Sequence, residues 1–143
     1  MNGSLNFSAV WAHKNNSPNF GYIGQLWEYL QINKTELKES IIIGNFKSNK
    51  IWDQWDRWWN HTDVVKELYD LGLQSLYHIN HNEQQGKESK PTFFHQRKLN
   101  KPYYIDYCFA PNIIVNKLLK FNLGDTLEWI EFSDHIPLIL VFE

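Results

Sequence analysis

A chain of 143 residues with 43% hydrophobic and 16% aromatic content can bury one well-formed core, which excludes a disordered protein. The formal net charge of −2 excludes a global basic field, so a nucleic-acid partner would have to be met by a local patch. The single cysteine, Cys108, excludes an intrachain disulfide and a cysteine metal cluster; it fits a reducing compartment and a cytoplasmic location. No apolar run approaches the length of a membrane span, and Met1-Asn2-Gly3-Ser4 has no leader character.

In chain order, Leu5 to His13 reads as a first strand with Phe7, Ala9 and Trp11 on one face. Asn15-Asn16-Ser17-Pro18 reads as a turn into a helix, with Ser17 suited to the N-cap and Pro18 to the first helical position. Ile23, Leu26, Trp27 and Leu30 then repeat at helical spacing. Ile41-Ile42-Ile43 reads as a strand buried on both faces. Gly44 lets the backbone turn, and Asn45, Lys47, Ser48 and Asn49 gather at the strand's carboxyl end, the rim where open α/β sheets bind ligands. The same stretch also suits a buried strand entering an ordinary turn. Strand, helix, strand points to a βαβ crossover and α/β architecture.

Trp52, Trp55 and Trp59, with Trp58 beside them, fall at i, i+3 and i+7. Such rings can stack bases, but packing against the core is the favoured reading. Asn60 or Thr62 suits a cap for a helix through Val64, Val65, Leu68 and Leu71 that ends at Gly72. Leu76 to Ile79, Thr92 to His95 and Tyr103 to Phe109 read as strands, and Asn80 to Pro91 as a long surface loop. Ile113 to Phe121 fits a helix better than a strand, through Ile114, Leu118 and Phe121. Ile136 to Phe142 reads as the last buried strand, apolar on both faces, with Pro137 at its start.

Three stretches stand out in sequence order: Ile41-Ile42-Ile43-Gly44-Asn45-Phe46-Lys47-Ser48, Ile105-Asp106-Tyr107 and Ser133-Asp134-His135. Together they resemble the endonuclease/exonuclease/phosphatase family, the deoxyribonuclease I-like phosphoesterases. That family has a strand ending in Gly-Asp-Phe-Asn-Ser, then an Ile-Asp-Tyr strand, then Ser-Asp-His before the last strand. The second and third blocks are intact. In the first, Asn45 stands where the family has Asp, and Lys47 where it has Asn. The resemblance runs from about Phe7 to the C-terminus and implies an α/β fold, part of a four-layer α/β sandwich with mixed β-sheet and flanking helices. It implies that residues 1–143 form a single domain lacking the family's N-terminal half, which carries the principal metal-binding Glu.

By the same resemblance, His135 contacts the scissile phosphate and helps activate the attack, and Asp106 orients its ring. Asp134 is a metal-site carboxylate suited to Mg²⁺, and His13 is a second phosphate-binding histidine. Asn45 can orient a water but has no titratable oxygen to act as its base. Lys47 and Asn49 belong to the substrate-binding side, where Lys47 adds positive charge that attracts phosphate and opposes a nearby cation. Each residue also has a structural reading: a satisfied histidine, an Asx turn at Asp134, a carboxylate answering a buried group at Asp106. His61, His78, His81 and His95 match no metal-ligand spacing and read as structural.

Two functions are expected from these observations. One is a divergent or truncated metal-dependent phosphoesterase, nuclease-like and of low activity. The other is a non-catalytic phosphate- or nucleic-acid-binding module in which Lys47 replaces metal charge. The expected partner is a phosphate-containing substrate, with nucleic acid among the candidates and no membrane. An uncovered apolar sheet face would favour self-association or a partner supplying the missing half.

Overall fold

The computed structural model describes residues 5–14 and 17–143; the turn expected at Asn15-Asn16 lies outside them. Strand β1 (Asn6–Trp11) leads through helix α1 (Ile23–Asn33) into β2 (Ser40–Asn45), which lies parallel to β1 from Asn6↔Ser40 to Trp11↔Asn45. This is the expected crossover. Helix α2 (His61–Asp70) follows, then β3 (Leu73–Ser75) and α3 (Leu76–His81). A two-residue ladder joins β4 (Phe93–Phe94) to β5 (Pro102–Tyr103). Strand β6 (Asp106–Pro111) runs antiparallel to both β2 and β3, completing a mixed sheet of order β1-β2-β6-β3. Short helix α4 (Asn112–Val115), β7 (Leu118–Leu123), short helix α5 (Thr126–Trp129) and β8 (Leu138–Phe142) close the chain, with β7 and β8 paired antiparallel as a separate ribbon.

The period of two along the strands divides the main sheet into two faces. Ile42, Tyr107 and Phe109 share the face covered by α1 and α2, where they pack with Leu30, Phe46, Val64 and Leu68 in the core. Phe7, Ile43, Asn45 and Asp106 share the opposite face. Gly44 sits between them at φ +143, and a Cβ there would lie 2.0 Å from the Val10 carbonyl oxygen. Only glycine permits this close approach of β1 to β2. Helix α2 starts at Asn60, as one of the two expected caps, through a capping box in which Asn60 N–H donates to Asp63 at 2.7 Å. It ends before Gly72, at φ +80.

Several expectations are corrected. Ser17 does not cap α1: its hydroxyl accepts from Phe20 N–H, and the helix begins only after Tyr22, at φ 51. Leu76–Ile79 is helical, because the strand comes three residues earlier. Ile113–Phe121 splits into α4 and the first part of β7. The tryptophan stretch is one short 3-10 turn (Lys50–Trp52) followed by irregular backbone, so no helical stripe forms. Trp59 packs against the core, but Trp55 is 97% exposed. β8 is apolar along its length, yet Ile139 and Val141 face outward, so it is not buried on both faces. The Asn80–Pro91 stretch is no simple surface loop: α3 takes its first two residues, and Glu88 is buried within it.

Candidate active site

The site lies where β2 and β6 expose adjacent residues. Asn45 and Asp106 are directly paired across the ladder, on the face away from α1 and α2. The segment Ser133–Ile136 crosses this end of the sheet and is held by backbone bonds on both sides of His135. Phe94 N–H donates to Asp134 O at 2.8 Å, and Ile136 N–H donates to Thr92 O at 2.8 Å. Ser133 Oγ accepts from His135 N–H at 3.0 Å, tightening the turn. Thr92, fully buried, also joins the segment to β6: its Oγ1 accepts from Ile105 N–H and Asp106 N–H, each at 3.1 Å. One threonine therefore sets the spacing between Asp106 and His135.

His135 Nδ1 lies 2.8 Å from Asp106 Oδ2. On the other side of the ring, Nε2 lies 3.4 Å from Asn45 Nδ2. The Asn45 amide is oriented from below, since its Oδ1 accepts Lys47 N–H at 2.8 Å. Its NH₂ therefore faces Nε2 and can donate only to a lone pair. The arrangement describes a neutral imidazole with its proton on Nδ1, donated to Asp106. The hydrogen bond that His135 donates to Asp106 holds the His135 pKa above the ordinary histidine value, against partial burial, with the charges of Asp106 and Asp134 adding and Lys47 subtracting. Such a ring can take a proton at Nε2, because Asp106 stabilises the imidazolium that results. An Asp at position 45 would instead face Nε2 with an acceptor and favour the charged ring.

These groups floor a cleft of about 740 Å³, walled by Trp11, Ile43, Trp129 and Leu138. Lys47 lies on the cleft wall with its Nζ 5.9 Å from the Trp11 ring centroid, within cation–π range. Its backbone is left-handed, at φ 45, which costs a non-glycine residue about 1 kcal/mol. A second cleft on the other side of His135 is lined by Lys47, Trp52, Phe93, His95 and Asp134, among others.

Of the residues expected at the site, Asn45, Lys47, Asp106 and His135 come together in the first cleft, and Asp134 faces the second. His13 follows β1 with its ring 5.9 Å from that of Trp11, but it is not among the residues lining either cleft. Asn49 is a correction. Its side chain is turned inward and only 2% of the residue is exposed, so its amide donates to Glu88, the Tyr104 carbonyl and the Tyr107 hydroxyl instead of a ligand.

No protein-family model matches this sequence, and no curated protein matches it. Solved structures do. A 3′ phosphatase, NExo, from Neisseria, bound to a product DNA hairpin, superposes with a TM-score of 0.64 at 20% identity, covering 96% of this chain and 60% of that one. The 3′-5′ exonuclease from Neisseria meningitidis gives 0.63 at 20% identity, with 96% and 60% covered. An AP endonuclease from Archaeoglobus fulgidus gives 0.62 at 15% identity, with 96% and 61% covered. The chain has the deoxyribonuclease I-like fold. It spans about three fifths of the length of these structures.

Within that fold the expected Mg²⁺ site can be tested against the residues present. Asp106 is engaged by His135, and Asp134 faces the neighbouring cleft. Among the described residues no group of three or more His, Cys, Asp or Glu side chains could hold a metal ion. Mg²⁺ is commonly held by one or two protein carboxylates together with water and substrate phosphate; near His135 the described residues offer Asp134 for that, since Asp106 is already bonded to the ring. The residue that sequence reasoning missed is Thr92. It stands at the head of the Thr92–His95 stretch, and nothing in its neighbours marks the two amides, thirteen and fourteen residues on, that it accepts.

Proposed function

We propose that the chain is a divergent phosphoesterase of low intrinsic activity, acting on a phosphodiester or phosphomonoester, with nucleic acid as the substrate class. The observation that supports it is the line Asp106–His135–Asn45 across the floor of a cleft that also holds Lys47. His135 Nε2 accepts a proton from an incoming water or hydroxyl, Asp106 stabilises the resulting cation, and Lys47 supplies positive charge for the phosphate. The neighbour bound to a product DNA hairpin supports the substrate class, as does the cleft's combination of a lysine with aromatic walls.

The test is turnover of a generic phosphodiester by pure protein, with and without Mg²⁺. Slow turnover is expected, falling by about two orders of magnitude or more in His135→Ala. Rapid Mg²⁺-dependent turnover overturns the low-activity reading. A second reading is a non-catalytic phosphate-binding module, favoured by Lys47, whose positive charge lines the cleft with His135 and can meet a phosphate without a metal. Phosphate binding without any turnover selects it.

We also infer that the chain associates with itself or with a partner that supplies a further layer. β1 ends the sheet with Phe7 and Trp11 well exposed, an edge of the kind that accepts another strand. A standard interface of about 800 Å² per partner would cover it. Light scattering at micromolar concentration tests this: a monomer that binds no apolar dye overturns it.

A further inference from the structure

The left-handed turn at Lys47 lies between two buried anchors. Phe46 is fully buried, and its N–H donates to Ile105 O at 2.9 Å. Two residues beyond Lys47, Asn49 accepts Ile51 N–H at 3.1 Å and so starts the 3-10 turn, while its amide enters the protein. There it donates to Glu88 Oε2 at 3.0 Å. The other oxygen of Glu88 accepts from His78 Nε2 at 3.0 Å and from Gly86 N–H at 2.9 Å. His78 Nδ1 in turn accepts from Ser75 Oγ at 2.7 Å. The side chains of Glu88 and His78 are 3% and 6% exposed. A carboxylate so deeply buried is unusual unless it is fully bonded. This one is fully used, and its bonds tie the turn after β2 to the end of β3 and to the segment after α3.

We propose that Glu88 is a positioning residue for the cleft: through Asn49 it holds the Lys47 turn in its left-handed conformation, and so sets where the lysine charge meets the phosphate. The proposal rests on the phosphate-binding reading of the cleft for its ligand, but its mechanical part does not. Nothing in Glu88 touches the ligand; its effect passes through one hydrogen bond to Asn49 and two backbone units to Lys47. Lys47 N–H, donated to Asn45 Oδ1, reports on the turn directly.

The experiment has two arms. In the first, amide hydrogen exchange is compared at Lys47 and at Leu68, inside α2, for wild type, Glu88→Gln and Asn49→Ser. The serine variant keeps a hydroxyl for Ile51 but loses the amide that reaches Glu88, and it serves if Glu88→Gln does not fold. Loss of protection at Lys47 with Leu68 unchanged is expected. Unchanged protection at Lys47, or equal loss at both amides, overturns the proposal. In the second arm, inorganic phosphate affinity is measured for Glu88→Gln with Lys47 present and with Lys47→Ala. A loss of about fivefold that disappears in the Lys47→Ala background is expected of two coupled residues. The same loss in both backgrounds overturns the link to Lys47. If wild type binds no phosphate, the functional reading fails, and the exchange arm still decides the role of Glu88.

Discussion

His135 and His61 lie on opposite faces of the same sheet end, and the protein treats them in opposite ways. His135 is half-buried, donates to a carboxylate, and has its pKa raised by that bond. His61 is fully buried, its Nε2 meets only the neutral Gln85 at 3.0 Å, and burial lowers its pKa. Its Nδ1 has no partner, so a second proton there would have no acceptor. The difference teaches that a histidine's chemistry is set by which neighbour answers it, not by depth alone. A carboxylate at a cleft makes a ring that can take and hold a proton. Burial in a closed core, outweighing the bond to Gln85, makes a ring that stays neutral and packs against Tyr107 at 4.9 Å.

The change that should break both environments together is Gly44→Ala. Its Cβ would strike the Val10 carbonyl at 2.0 Å in a backbone conformation L-residues rarely adopt. A loss above about 4 kcal/mol is expected, read as absent cooperative unfolding by circular dichroism.

The next largest effect is acid destabilisation. The unfolded chain takes up a proton that native His61 refuses. Its contribution is therefore full above the ordinary histidine pKa and falls as pH drops from there toward the lowered native value. Glu88 adds a second loss at lower pH. Burial works to raise its pKa, but the bonds from His78, Asn49 and Gly86 together hold it below the ordinary carboxylate value. Its stabilisation is present above the unfolded pKa and is lost as pH falls through the folded one. Urea melts at graded pH should show stability declining in both windows; a flat acid side would contradict both assignments.

His135 carries the opposite sign. Its stabilisation is full below the unfolded histidine pKa and disappears as pH rises through the raised native value. Asp106→Asn should lower the His135 pKa in an NMR titration and leave that of His61 in place. No movement at His135 would remove the pair from the mechanism.

Lys47→Ala sharpens the comparison from the ligand's side. Sulfate or phosphate affinity measured without metal should fall by about tenfold, the scale of one charge-assisted contact. Equal affinity would make Lys47 a solvated lysine. The smallest effect is expected at Trp55: its near-complete exposure predicts that Trp55→Ala changes stability by less than about 0.5 kcal/mol. Trp59→Ala should cost more, because that ring packs on Phe20 and on Arg57 at 4.2 Å.

What the amino-acid order determined by itself is local or strongly periodic. The run Ile41-Ile42-Ile43 before Gly44, the helical spacing of Ile23 to Leu30, the Asn60 cap and the Gly72 stop each express a preference within a few residues, and each appears in the fold. The pairing of Asp106 with His135 was legible only through the resemblance of separated blocks, since no local rule joins residues so far apart. Tertiary structure decided the rest. Leu76-Tyr77-His78-Ile79 is apolar enough for strand or helix, and it became a helix because Leu73–Ser75 had already taken the place beside β6. Leu138–Phe142 is apolar at every position, so its pattern cannot say which side faces solvent. Asn49 looked like a rim residue and turned inward because Glu88, thirty-nine residues on, accepts its amide. Side-chain periodicity records which face of an element is apolar. Only packing decides what meets that face, and so which polar side chains are left for chemistry.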